Sequence, residues 1–503
     1  MKSSHYDFAL HTIQDPIHGS IAFGPIEKRI IDHRMFQRLH GLRQNSLLHL
    51  VFPSANHTRF DHSLGVMSIA SRFFDAIITN QQKVCSAGRR RNSYQARYRV
   101  DDKNMWELIQ ALTRQPYFKI VVRSAALFHD IGHGPLSHLF DKFFPSANEA
   151  LRLLAAPSYD HIRPSVKAMK RQAGSQPISH EVFSCIIATQ VLHDIQDVLA
   201  KYGIRAEDMA KDVCAAIEKQ VAPSHQTQSL PYDVATLLRD IISSDLDADR
   251  MDYLMRDSHM CGVNYGLYDQ DCILKSMCAY AENKSQAVRV AVRYSGVGTL
   301  EDLLIARYQM YAQVYGHKTN RACSAMLDAI QEHLKESGWS WYDGCTSLQE
   351  LLDRFVRLDD QSFISQLLDL RANGGQERVK EIAQKLFLER RLVKRVFEER
   401  IPYTDREPRQ QAQAERRMKQ HMNRLKQTGI WAKPDVFSNK GPKIKSSLYA
   451  LKVLRKHHDR GWYEVHEAKD FSTVAHYLPE IEKTYRIYVK PKNVTRAKAL
   501  IPK

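Results

Sequence analysis

Residues 126–138, ALFHDIGHGPLSH, place His129, His133, His138 and Asp130 at the end of an apolar run. The apolar lead-in reads as a buried helix, ended by Gly132 and by the Gly134-Pro135 pair. The adjacent His129–Asp130 pair then falls on the greasy side, where a structural helix gains nothing from it, because buried polar groups cost free energy unless they are partnered. A metal ion would use it: one imidazole nitrogen and one carboxylate reach the same point. Two ligands do not hold a catalytic divalent ion; three or four are needed, with a position left for water. Other parts of the chain must therefore fold onto this one.

Two segments can supply them. RFDHSLGVMSIASRFFDAIITN (59–80) has apolar residues at helical spacing, with His62 near its start. VATLLRDIISSDLDADRMDYLMRDSHMCG (234–262) reads as a helix, a break near Ser243-Ser244-Asp245, and a second helix capped there. With a start near Ser244, Asp249, Asp252 and Arg256 share one face, and Arg250, Tyr253 and Asp257 the neighbouring one. Asp249 is the best remaining ligand. A guanidinium and a phenol beside it suit an anionic substrate docked on a metal.

Helical signals dominate elsewhere. Residues 299–334 read as a long amphipathic helix kinked near Gly316, and residues 401–430, rich in Arg, Gln and Lys, as a solvated helix or linker. QAVRVAVRYSGVG (286–298) alternates as a strand does and is the one clear strand signal of the first half; EKTYRIYVKPKNV (482–494) is a strand near the end. At 503 residues two or three domains are expected: a core over 1–330 with an insertion at about 86–104, a helical extension over 331–400, and a basic α+β region over 401–503. The eight cysteines form no C-x-x-C pair, which argues against a zinc ribbon and fits a reducing compartment. No apolar run approaches the ~20 residues that span a bilayer, and the first residues lack a signal-peptide core, so a cytoplasmic location away from membranes is expected. Lys and Arg outnumber Asp and Glu by 73 to 56, a net charge of +17 concentrated in 86–100 and the last hundred residues. Polyanions are the natural partners.

Taken in order, DPIHGSIAF, FQRLHGLRQ, VFPSANHTRFDHSLGV, LFHDIGHGPLSHLFD, ISHE, DLDADRMDYLMRDS and YGHKT resemble the HD phosphohydrolase superfamily. Within it they resemble the deoxynucleoside triphosphate (dNTP) triphosphohydrolases, most of all the branch whose animal members carry a sterile alpha motif. These motifs span roughly residues 13 to 320. That motif is not seen here, since DPIHG begins at residue 15. The resemblance implies a mostly α fold: a helical HD phosphohydrolase core with a smaller basic α+β C-terminal region.

It also implies roles. His62, His129, Asp130 and Asp249 would ligate a transition metal such as iron, manganese or zinc, with Mg²⁺ on the nucleotide phosphates. His133, His138 and His180 would surround the scissile phosphate, oriented by Glu181 and Asp257, with His138 the first choice of proton donor and His180 the second. Arg59, Arg250, Arg307 and Lys318 would hold phosphates, Gln44 the sugar 3′-hydroxyl, and Tyr253 and Tyr315 would pack on the sugar where a 2′-hydroxyl clashes. Arg250 stands where the animal enzyme has lysine, which keeps the charge but not the geometry. The implied reaction cleaves a dNTP to deoxynucleoside and inorganic triphosphate. The resemblance further implies a homo-oligomer gated by an activating nucleotide near Asp32, Arg38 and His40. His40 replaces a guanine-reading arginine, so a dNTP is the expected activator rather than GTP. Two alternatives stand beside this reading: a metal-dependent nuclease acting on single-stranded nucleic acid, favoured by the basic charge, and a nucleotide-responsive regulatory or defence component.

Overall fold

A helix that is apolar on every face has only the centre of a domain to occupy, and Pro116–Phe128 is such a helix: every residue from Tyr117 to Phe128 except Lys119 is buried. Pro116 opens it at a position where a missing N–H costs nothing. Around it pack the helices Arg59–Gly88, His180–Asp194, Ala206–Ile217 and Ala235–Ile242. Its one buried charge, Arg123, donates to Glu27 (2.5 Å) and to the carbonyl of Ala22 (2.8 Å), which ties the N-terminal segment to the core. The computed structural model describes residues 6–88, 98–173, 176–370, 376–403, 408–439, 451–456, 463–474 and 481–501.

The molecule is mostly α, with a smaller α+β portion built from C-terminal residues. In the latter, strands Lys394–Tyr403, Ile481–Val489 and Ala432–Asn439 form an antiparallel sheet with Ile481–Val489 in the middle. Helix Pro408–Gln427 covers it, with a small apolar core of its own that includes Ile401, Ala414, Leu425, Tyr485 and Ile487. A second sheet joins distant parts of the chain: Val288–Arg293 pairs antiparallel with Met277–Glu282 and parallel with Lys452–Lys456.

Several local expectations need correction. The helix before the His-Asp pair ends at Phe128, so His129 is its cap and not its last turn. The break after Ile242 runs to Asp247, and Asp247, not Ser244, caps Ala248–Cys261 by accepting from the Arg250 amide (2.7 Å). The long helix near Gly316 is three pieces: Val297–Gln309, a π-helical turn Met310–Tyr315, and Lys318–Glu336. Met277–Glu282 and a hairpin of His11–Asp15 with Gly19–Phe23 are strands whose short mixed sequences gave no clear alternation. The expected insertion at 86–104 lies partly outside the described residues, which resume at Tyr98. Among the described residues no helix is long and apolar enough to cross a membrane.

Candidate active site

Three helix ends meet above the central helix. His62 lies in the first turn of Arg59–Gly88, a start marked by Thr58 and Asp61, which exchange hydrogen bonds as capping residues do. His129 and Asp130 leave the C-terminus of Pro116–Phe128. Asp249 is the second residue of Ala248–Cys261.

Their donor atoms converge. His62 Nε2 stands 3.1 Å from Asp249 Oδ1 and 3.8 Å from Asp130 Oδ2. His129 Nε2 stands 3.6 Å from Asp130 Oδ1 and 3.8 Å from Asp249 Oδ1. Ligands at ordinary bond lengths from one ion stand roughly 3–3.5 Å apart, so His62, His129 and Asp130 are spaced as a slightly relaxed coordination shell, with Asp249 Oδ1 beside the two imidazoles. Both Nε2 atoms are buried without a well-aligned hydrogen-bond partner, a condition native interiors avoid unless an ion or water is served. The far nitrogens fix the tautomers: His129 Nδ1–H donates to the carbonyl of Ala126 (2.7 Å) and His62 Nδ1–H to Asp252 (2.8 Å). Two imidazoles and two carboxylates fit a divalent transition ion. Burial alone would lower the basicity of His62, but with no ion bound Asp249 and Asp252 outweigh it and hold the ring's pKa up at about 10, so a cation bound here would take the place of the Nε2 proton. Burial would raise the Asp130 carboxyl, yet Arg59, His129 and His133 hold it well below the usual range.

A second cluster lies beside the first. The rings of His133 and His180 stack at 3.8 Å between centroids, with His138 edge-on at 5.0 Å from His133. His133 Nε2 is 3.4 Å from Asp130 Oδ1, so it adjoins the first cluster directly. Asp141, absent from the sequence reading, joins the group: its Oδ2 is 3.3 Å from His138 Nδ1 and 3.2 Å from His180 Nδ1. An acid three residues after His138 was the signal available for it. Glu181 stands 3.3 Å from His180 Nε2.

His133, His138, His180 and Glu181 line a cleft of about 510 Å³, together with Gln44, Arg59, Asp130, Asp249, Arg250, Tyr253, Asp257 and Tyr315. Gln44 Oε1 is buried and unpartnered. Arg59 bonds Asp130 and also donates to Ser137 Oγ (2.9 Å). Tyr311 and Asn320 line the cleft too, and were not foreseen.

Other expected residues sit differently. Asp257 lines the cleft but accepts from His57 Nε2 (2.6 Å) and Tyr315 Oη, not from the three histidines it was expected to orient. Arg307 does not line the cleft; it is buried with its guanidinium 5.5 Å from the centre of the Tyr311 ring. Lys318 is exposed on the first turn of its helix, also outside the lining. Arg38, expected to meet an activating nucleotide, is buried instead: it donates to the carbonyls of Leu358 (2.7 Å) and His133 (2.9 Å) and stacks on Phe355. Asp32 pairs with Lys28 on the surface, and the His40 ring stacks on Phe60 at 3.6 Å.

Comparison with known proteins gives this arrangement a lineage. The model of the HD associated region matches residues 280–430. The human deoxynucleoside triphosphate triphosphohydrolase SAMHD1 is 28% identical over 397 residues, 75% of this chain and 54% of that protein. An uncharacterized protein of Methanocaldococcus jannaschii is 28% identical over 72% of this chain and 58% of its own length. At the family level the chain is similar to HD-domain proteins that include these triphosphohydrolases. It spans about half the length of the curated HD-domain relatives it matches. A crystal structure of a hypothetical protein from Aquifex aeolicus shares the fold with a TM-score of 0.62 at 25% identity, over 98% of this chain and 100% of that one.

Proposed function

We propose that this HD-domain protein is a metal-dependent dNTP triphosphohydrolase, releasing deoxynucleoside and inorganic triphosphate. The observation that carries the reading is that Asp130 and Asp249, whose carboxylates converge with His62 and His129, line the same cleft as His138, which Asp141 holds from behind. SAMHD1, named for this reaction, supports it.

A divalent ion held by His62, His129, Asp130 and Asp249 would acidify water and withdraw charge from a phosphate oxygen. The chain's own groups account for the rest. Arg59 and Arg250 offset the negative charge of the triphosphate, which otherwise repels any anionic nucleophile. In-line attack by water at the α-phosphorus forms one P–O bond and breaks the bond to the 5′-oxygen. That oxygen leaves as a poor alkoxide and needs a proton. His138 is the proposed donor: its side chain lines the cleft and is 74% exposed, and Asp141 holds Nδ1, leaving Nε2 free, which supports the role. His180, whose Nε2 faces Glu181, is the weaker candidate. Gln44 Oε1, buried and unpaired, is free to accept from the sugar, and the Tyr253 and Tyr315 rings close its other side.

Anion-exchange chromatography of dNTP digests tests this reading. Inorganic triphosphate in equal amount with deoxynucleoside is the expected result. Pyrophosphate with a monophosphate, or cleavage of labelled single-stranded oligonucleotides in place of dNTPs, would overturn it.

A further inference from the structure

DPIHG is among the most recognisable segments of the chain, yet none of its side chains faces the cleft. The structure shows where they go. Asp15 Oδ1 accepts from the amides of Ile17 and His18, both at 2.8 Å, and shapes the hairpin turn. Gly19 closes it at φ +67°, a conformation that favours glycine. The turn thereby carries His18 inward, where Nε2–H donates to Asp252 Oδ1 at 2.6 Å. Asp15 Oδ2 accepts from Arg256 Nη1 at 2.8 Å. Arg256 in turn grips both oxygens of Asp252, at 2.8 and 3.0 Å. Asp252 Oδ2 also takes the Nδ1–H of the metal ligand His62.

We propose that His18 and Asp15 are positioning residues for the metal centre, fixing the Asp252 carboxylate that orients His62. The inference rests on the metal-centre part of the functional reading and on nothing about the substrate.

Three observations support it. Asp252 accepts four hydrogen bonds from three side chains of three separate segments, so the carboxylate can neither rotate nor slide. Its orientation keeps the proton on His62 Nδ1 and turns the Nε2 lone pair toward Asp130 and Asp249. The network is also fully buried: Asp252 and His62 are 0% exposed, and Arg256 1%. Space for it is provided by Gly65, three residues after His62. A Cβ there would lie 1.9 Å from Asp252 Oδ1 and 2.4 Å from Arg256 Nη2, so any other residue would push the carboxylate off His62. Hairpin, glycine and carboxylate form one support.

The test uses His18→Gln, whose amide N–H takes the place of the ring's Nε2–H, and His18→Asn, whose amide stops short of Asp252. Metal-free full-length protein is titrated with Co(II) against a competing chelator, and the visible absorption of bound Co(II) is recorded. The Asn variant is expected to bind Co(II) 10- to 100-fold more weakly with a shifted band, and the Gln variant to keep near-wild-type affinity and spectrum. Wild-type affinity and spectrum in the Asn variant would overturn the proposal, leaving the network as glue for the hairpin; so would equal weakening in both. Failure of the wild-type protein to bind Co(II) would overturn the metal centre as well. Because no nucleotide is present, none of these outcomes depends on the reaction proposed above.

Discussion

Replacing Gly132 with alanine probes how the two halves of the site are held together. A Cβ at this position would stand 2.4 Å from the carbonyl oxygen of His180, 2.5 Å from the amide nitrogen of Ser184 and 2.8 Å from Ser184 Oγ. Two of those atoms are backbone, so no side-chain rotation relieves the overlap. Non-bonded carbon contacts settle near 3.5–4.0 Å, so the turn after Asp130 must retreat from the His180–Asp194 helix by roughly 1 Å. Overpacking of this kind costs about 1–3 kcal/mol. The retreat also strains two buried hydrogen bonds, Gly132 N to Ser184 Oγ and Ser184 Oγ to the carbonyl of His129, both 2.9 Å. Leaving such groups unsatisfied costs about 1–3 kcal/mol more, so a loss of about 2–6 kcal/mol is expected, against a typical total stability of about 5–15. Ser184→Ala gives up the hydrogen bonds without the clash and should lose only about 1–3 kcal/mol. Urea unfolding midpoints of the three proteins, with metal content measured after dialysis, read both effects. Gly132→Ala should unfold earliest and retain least metal, because His129 and Asp130 lead directly into the displaced turn. A Gly132→Ala protein with wild-type midpoint and metal content would refute this reasoning.

Three further outcomes are expected. His62→Ala and Asp130→Asn should lose bound metal while keeping a helical circular dichroism spectrum; full occupancy by elemental analysis in both would remove them from the ligand set. On the proposed function, in which Tyr253 and Tyr315 of the cleft lining pack on the sugar, rates on dATP and ATP should differ by on the order of 10² or more; equal rates would contradict that pocket. The third concerns pH. Burial would raise the Asp141 carboxyl, but His138 and His180 hold it well below the usual range; burial would lower His180, but Asp141 and Glu181 hold it above. A depressed carboxyl contributes stability above its unfolded value near 4 and loses it as pH falls through the folded one. A raised imidazole contributes below about 6.5 and loses it as pH rises through its folded value. The pair is therefore strongest between about pH 4 and 6.5, and Asp141→Asn should be most destabilising there; a wild-type-minus-variant difference that stays constant from acid to alkaline pH would count against the ion pair.

What the sequence by itself determined was the local logic. An apolar run ending in a His-Asp pair predicts a buried helix with that polar pair at its end, as found, and the spacing of Asp249, Arg250 and Tyr253 places them on adjoining faces of one helix whether its cap is Ser244 or Asp247. Periodicity and capping act within a few residues, so they can be read from the letters. Strands such as Met277–Glu282 and Lys452–Lys456 exist through pairing with distant partners, and their alternation is too short to announce them. Tertiary structure alone decided the supporting contacts. Arg38 looks like a surface cation in the sequence, but its guanidinium meets two carbonyls and the face of Phe355, more than 300 residues along the chain, and is buried as a strut. His18 and Asp252, 234 positions apart, carry no mutual signal, and neither does Asp257 with His57. A hydrogen bond between residues far apart in sequence depends on where two separate elements dock, and docking is set by the packing of the whole core, not by the neighbours of either residue.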